Sequence, residues 1–315
     1  MHAIGIDLGG TKILIGLIDQ NGNVINPIKK QTPKTKKVDE IMGLTFETIE
    51  QVIAGSKIDR KAIRGIGVAA PGIVDQDKGI LLYAPNWNMR NLEIRKILKK
   101  KYSLPVNVAN DVNAAAFGEL HFGHGRNEDS FFWMTVSTGI GGALVIDRKV
   151  VLGNKGLAGE IGHMIIDENG PLCKCERKGC LEAFSSGTAI ASLAKKRIKN
   201  GVVFQKLDPE IKPDEITSEA IVRAAFDGDR ESILLLEEAA RNISKALSYV
   251  VNLTDIELLV IGGGVMENSD LLFSLVDKNM KTYVYEYQQR NVRLVRPKLG
   301  YNSSLIGAGA LVLKK

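Results

Sequence analysis

Two stretches of this chain share one pattern: an apolar run, a turn of glycine and threonine, then a second apolar run ending in aspartate. Residues 3–8 lead into Gly9-Gly10-Thr11-Lys12 and on to residues 13–19, while residues 131–136 lead into Ser137-Thr138-Gly139-Ile140-Gly141-Gly142 and on to residues 143–147. Short apolar runs bounded by glycine turns read as buried strands joined by hairpins. Two such units suggest two related domains, each opening on a hairpin. Helical spacing covers residues 38–54, with Gly55 as its stop, and a strand over 63–69 is closed by Pro71-Gly72. A basic amphipathic helix over 92–101, a strand over 106–109 and a helix from Asp111 to residue 120 follow. Helices are expected over 218–227 and 230–251, a strand over 258–261 running into Gly262-Gly263-Gly264, a helix from Ser269 onward, and a small-residue helix over 303–313. This alternation predicts an α/β protein.

The length of 315 residues suits about two domains, and 44% hydrophobic with 25% charged residues is ordinary globular composition. No apolar run reaches the ~18 residues of a membrane span. Residues 4–8 run into an acidic residue and a glycine pair, unlike a signal peptide, so a cytoplasmic chain is expected. The net charge of +6 is mild. Its basic groups, Lys29, Lys30, Lys34, Lys36, Lys37 and residues 95–101, lack the interleaved aromatics of a single-strand binder. They are expected on solvated faces, without nucleic acid or membrane as partners.

The turns carry chemistry. Backbone N–H groups in a glycine turn can converge on one anion, so Gly9, Gly10, Thr11 and Lys12 form a candidate phosphate cradle, and Thr138, Gly139 and Gly141 a second. Asp7 at a strand end is placed to hold Mg²⁺ through water. Gly262, Gly263 and Gly264 suit the close approach of a flat base and its ribose. Asn110-Asp111 stands where a strand meets a helix: one of the two caps the helix, or Asp111 receives a hydroxyl proton during phosphoryl transfer. All three cysteines, Cys173, Cys175 and Cys180, lie just beyond Glu160-Ile161-Gly162-His163. One nitrogen and three sulfurs suit tetrahedral Zn²⁺ in a closed structural site. Glu160 and Glu182, flanking that knot, would present rigid carboxylates to vicinal sugar hydroxyls.

With these motifs in this order, the sequence resembles the ROK-family sugar kinases, nearest their bacterial glucokinase branch. The likeness runs through Asp7 to Lys12, Ala70-Pro71-Gly72, Asn110-Asp111, Ser137 to Gly142, Glu160 to His163, Cys173 to Glu182 and Ile261 to Gly264. It implies an actin-like, hexokinase-type two-domain α/β ATPase fold with an interdomain cleft, the C-terminal helix returning to the first domain. Boundaries are expected at 1–112 plus 300–315 for the smaller domain and 113–299 for the larger. The resemblance implies that Asp111 is the base acting on the sugar 6-hydroxyl. Asn110, Glu160, His163 and Glu182 would bind the ring with Pro71, Gly72 and Asn86. His163, Cys173, Cys175 and Cys180 would hold zinc, and Asp7, Gly10, Thr11, Lys12, Thr138, Gly139 and Gly263 would meet nucleotide and magnesium. One position departs from the family pattern: Glu176 stands where a glycine is usual after the second cysteine.

The implied activity is ATP-dependent phosphorylation of a hexose, glucose first, in a homodimer or homotetramer. Relatives acting on N-acetylmannosamine, N-acetylglucosamine, mannose, fructose or allose share nearly the same motifs. A sugar-responsive repressor of the same family would carry an N-terminal winged-helix module before the phosphate turn, and the turn here begins at Asp7. An actin-like ATPase without a small substrate would have no use for the cysteine loop and its glutamates.

Overall fold

The computed structural model describes residues 1–314, the side chain of Asn86 excepted. The chain divides into two compact units. The first comprises Met1–Asp129, Ala143–Ala158 and Pro297–Lys315, and the second Ser130–Gly142 and Gly159–Arg296. The division thus falls after Asp129 and before Pro297, and not at 112 and 300.

The first unit opens with strands β1 (His2–Leu8), β2 (Lys12–Asp19) and β3 (Val24–Gln31). Helix α1 (Val38–Ser56) leads to β4 (Ile63–Ala70) and to a small sheet of β5 (Ile73–Asp75), β6 (Ile80–Ala84) and β7 (Met89–Leu92). Helix α2 (Ile94–Tyr102), strand β8 (Val106–Asn110) and helix α3 (Asp111–Phe122) complete this run. The main sheet has the order β3-β2-β1-β4-β8, with β1, β4 and β8 parallel. Its central strands read as nearly continuous apolar runs because both faces are covered. Ile4, Ile6, Ile13 and Ile15 are fully buried with Ile41, Ile49 and Val52 of α1. Each such side chain contributes about 2 kcal/mol by leaving water. β3 carries Pro27 and alternates toward solvent, as an edge strand does.

The second run contains β9 (Phe131–Val136), β10 (Ile140–Ile146) and β11 (Lys149–Val150), then α4 (Leu181–Ser185), α5 (Gly187–Lys199), α6 (Ser218–Phe226) and α7 (Arg230–Thr254). β12 (Leu258–Gly262), α8 (Gly264–Glu267), α9 (Asp270–Tyr283) and β13 (Arg293–Val295) follow. This sheet runs β11-β10-β9-β12-β13, with β12 parallel to both β9 and β13. Both sheets therefore place a hairpin meander beside two parallel strands, the topological form of the pattern seen twice in the sequence. Helix α10 (Ser303–Leu313) belongs to the first unit. It lies so close to β4 that a Cβ on Gly67 would meet the Ala308 carbonyl oxygen at 1.7 Å.

Several local expectations change. Gly55 does not stop α1, which ends one residue later with Lys57 at φ 60°. Gly55 lies inside the helix against Asn26, whose Nδ2 would stand 2.5 Å from a Cβ there. The second glycine turn is only Ser137–Gly139, because Ile140, Gly141 and Gly142 have already entered β10. Helix α5, whose Ser186 cap accepts from Ala189 N at 3.1 Å, stands where the sequence pattern predicts no element.

Candidate active site

In the first unit, the candidate residues gather at the C-terminal edge of the parallel strands, where open α/β sheets place ligands. Asp7 of β1 pairs in register with Ala69 of β4, Ala69 pairs with Ala109 of β8, and Asp111 follows two residues later. Burial pushes the Asp7 carboxyl up to about 7, the nearby Asp111 charge adds to the rise, and Lys12 opposes it. The Asp7 and Asp111 carboxylates supply hard oxygen donors of the kind that fit a divalent cation such as Mg²⁺. Lys12 is itself held below the usual lysine range by burial and by Lys29, against the pull of Asp7.

The Gly9-Gly10-Thr11 turn is tightly braced. Gly9 N donates to Lys12 O at 2.9 Å, and a Cβ on Gly9 would come within 2.6 Å of that oxygen. Thr32 grips the turn from β3's end, donating from Oγ1 to Gly9 O at 2.8 Å and from N to Thr11 O at 2.9 Å. Lys36 Nζ bonds Gly10 O, and Lys12 Nζ stacks 3.9 Å from the centre of the Tyr301 ring. Thr32 and Tyr301 escaped the sequence reading because their partners lie far along the chain.

The choice between Asn110 and Asp111 as helix cap is resolved. Asn110 Oδ1 accepts from Val112 N at 2.9 Å and Asn113 N at 3.1 Å, both capping bonds of α3. Asp111 Oδ1 shares Val112 N, at 3.0 Å. Asn110 Nδ2 also donates to Gly72 O at 2.9 Å, which ties the turn after Pro71 to the start of α3. Gly72 sits at φ 90°, with no room for a Cβ against Tyr83 O at 2.2 Å. The Asn86 side chain, expected to reach the same ligand, lies outside the described residues.

The second unit holds the remaining candidates. One nitrogen of His163 and the sulfurs of Cys173, Cys175 and Cys180 all lie within 4.8 Å of one another. Cys173 Sγ is 3.8 Å from His163 Nδ1, and Cys175 Sγ is 3.6 Å from Cys180 Sγ. A tetrahedron with Zn–S bonds of about 2.3 Å has edges near 3.8 Å, so the donor set fits zinc. His163 turns its other nitrogen, Nε2, toward Glu160 Oε2 at 4.0 Å. Glu176 adopts φ 70°, the left-handed conformation that a glycine supplies without strain. The departure from the family pattern therefore changes the residue and keeps the turn.

Glu182, in the first turn of α4, accepts from Ile140 N at 2.9 Å. A Cβ on Gly139 would stand 2.6 Å from the same carboxylate oxygen. The glutamate beside the cysteine loop thus braces the glycine turn. Thr138 O accepts from Thr188 Oγ1 at 2.7 Å, which joins that turn to α5. Gly141 stands in β10, outside the turn. After Gly262 ends β12, Gly263 turns the chain at φ 95° and Gly264 begins α8. The Gly263 N–H is engaged by Glu267 Oε1 at 3.0 Å. Among the described residues, no helix is long and apolar enough to cross a membrane.

Residues 3–315 match the ROK family model. A glucokinase of Thermotoga maritima is 27% identical across 100% of this chain and 98% of its own length. A xylose repressor of Caldicellulosiruptor bescii is 31% identical over 98% of this chain, and the match spans 77% of the repressor. Among solved structures, a ROK family glucokinase from Streptomyces griseus in complex with glucose and AMPPNP superposes with a TM-score of 0.84 at 31% identity, covering 100% of both chains. The mixed α/β architecture is the actin-like, hexokinase-type two-domain fold of these relatives. From its motifs, its fold and a family match over nearly its full length, the chain belongs to the ROK family.

Proposed function

We propose that this protein is an ATP-dependent hexose kinase that phosphorylates the 6-hydroxyl of an aldohexose, with glucose as the preferred acceptor. The observation that carries the reading is the division of labour at the end of β8: Asn110 makes the capping bonds of α3, so the carboxylate beside it is not the cap. The Streptomyces griseus relative, bound to glucose and AMPPNP, supports both substrates.

In this reading Asp111 accepts the proton of the sugar hydroxyl as the γ-phosphoryl group transfers. Such transfer has a loose transition state and asks more of positioning than of basicity, so an ionised carboxylate beside a helix N-terminus suffices. Asn110 keeps one amide N–H beyond its bond to Gly72 and would donate it to the ring, with Pro71, Gly72 and Asn86 as further ring contacts. Glu160, His163 and Glu182 would accept or share hydrogen bonds with the ring hydroxyls. Gly9, Gly10, Thr11, Lys12, Thr138, Gly139 and Gly141 would receive the phosphates, and Gly262 to Gly264 the nucleoside. Asp7 would hold Mg²⁺, which neutralises charge on the triphosphate. Zinc on His163, Cys173, Cys175 and Cys180 would be structural, fixing the imidazole so that Nε2 faces the sugar. Three thiols committed to one donor set suit a reducing, cytoplasmic setting. A homodimer or homotetramer is the proposed assembly.

The test is ATP turnover measured with no sugar and with each of glucose, mannose, N-acetylmannosamine, N-acetylglucosamine, fructose and allose. Turnover that depends on hexose and favours glucose by kcat/KM is expected. Sugar-independent hydrolysis, or none with any hexose, would contradict the proposal.

A further inference from the structure

Arg95, on the first turn of α2, belongs to the basic run expected on a solvated face. Its guanidinium instead donates to three backbone carbonyls: Nε to Val106 O at 2.9 Å, Nη2 to Gln76 O at 2.8 Å, and Nη1 to Asp77 O. Its backbone N donates to Gly79 O at 3.1 Å. The β5–β6 turn is shaped around this group. Asp75 O accepts from Gly79 N at 2.8 Å and Asp75 Oδ1 from Lys78 N at 3.0 Å, so the carbonyls of Gln76 and Asp77 face outward together. Gly79 has φ 68°, and a Cβ there would stand 2.5 Å from Arg95 Cβ and 2.7 Å from Nε. A planar fork with donors on three nitrogens matches such converging acceptors, and a lysine ammonium does not.

The small sheet is therefore fastened to β8 at both ends. Arg95 joins its turn to Val106, the first residue of β8, and Asn110, the last residue of β8, bonds Gly72 at its base. From that base also emerges the segment Pro85–Trp87, which follows β6. We propose that Arg95 is a positioning residue for hexose recognition: by locking the β5–β6 hairpin to β8, it sets the distance of the Gly72 turn and the Pro85–Trp87 segment from Asp111. The proposal rests on the hexose-kinase reading for its functional consequence, and on the hydrogen bonds above for its mechanical one.

The experiment compares Arg95→Lys, Arg95→Met and, from the opposite side of the clamp, Gly79→Ala in the full chain. Steady-state kinetics for hexose and ATP are read together with amide hydrogen exchange. Loss of positioning predicts a rise of about tenfold in hexose KM, with ATP KM changed by less than about twofold and a narrowed preference between glucose and mannose. Exchange should rise over residues 73–87 and stay unchanged in β1 and α1. Lysine should restore little of the loss. A lower melting temperature with unaltered hexose KM and sugar preference would overturn the proposal as a merely structural contact. So would unchanged exchange in the hairpin, and that measurement decides even if no hexose supports turnover, an outcome that counts against the kinase reading alone.

Discussion

His121, on the last turn of α3, packs edge-on against Phe117 with ring centres 4.5 Å apart and lies 6.4 Å from Phe122. Burial, with smaller contributions from Lys314 and Arg148, pulls its pKa down to about 4. The folded state thus prefers the neutral imidazole, while the unfolded chain binds a proton below about 6.5. Stability from this site is complete above pH 6.5 and is lost as the pH falls from about 6.5 toward 4. The melting temperature of the wild type should fall across that window more steeply than that of His121→Phe, which keeps a ring and cannot titrate. Parallel curves for the two proteins would refute the assignment. Glu119, two residues away, needs the comparison with a variant to be separated out. Burial raises its carboxyl while the backbone N–H groups of Leu299 and His124 lower it, a net rise that favours the fold at low pH.

At the scale of elements, the cysteine loop is a short irregular segment that carries four candidate metal donors. It is laced by turn-type backbone bonds such as Cys173 N to Arg177 O at 2.8 Å, with isolated bridges pairing Ile165 with Cys180 and Leu172 with Lys178. A structural metal in such a loop contributes folding free energy directly. Purified protein should therefore contain bound zinc, and its removal by a strong chelator should lower the melting temperature and weaken hexose binding measured by calorimetry. A verified zinc-free protein with unchanged hexose affinity would contradict the role given to this loop. Glu182 carries the effect further, because the helix that follows Cys180 aims its carboxylate at Ile140 N beneath the second glycine turn. Loosening the loop should consequently raise the KM for ATP as well as for sugar.

Across the whole molecule, features that depend on local spacing were legible in the sequence. The hairpin glycines, the candidate metal donors from His163 to Cys180 and the helix start at Asp111 all appear as short-range patterns, and the structure brings those four candidate donors together. What could not be read were partnerships between distant residues. Thr32 with Gly9, Glu182 with Ile140, and Arg95 with Gln76, Asp77 and Val106 are hydrogen bonds whose partners only the fold brings together. Arg95 reads as one more charge in a basic helix until the carbonyls that surround it are seen. Gly55 is no helix end for the same reason: it lies inside α1 against Asn26 of β3, a partner far along the chain.

The central claim is that the carboxylate of Asp111 takes the hydroxyl proton of the sugar. Asp111→Asn preserves shape and removes the base, so it should keep the wild-type melting temperature and bind glucose and a non-hydrolysable ATP analogue normally. Its kcat for hexose 6-phosphate formation should fall by about a hundredfold or more. Turnover within a few-fold of wild type in that correctly folded, ligand-binding variant would contradict the account.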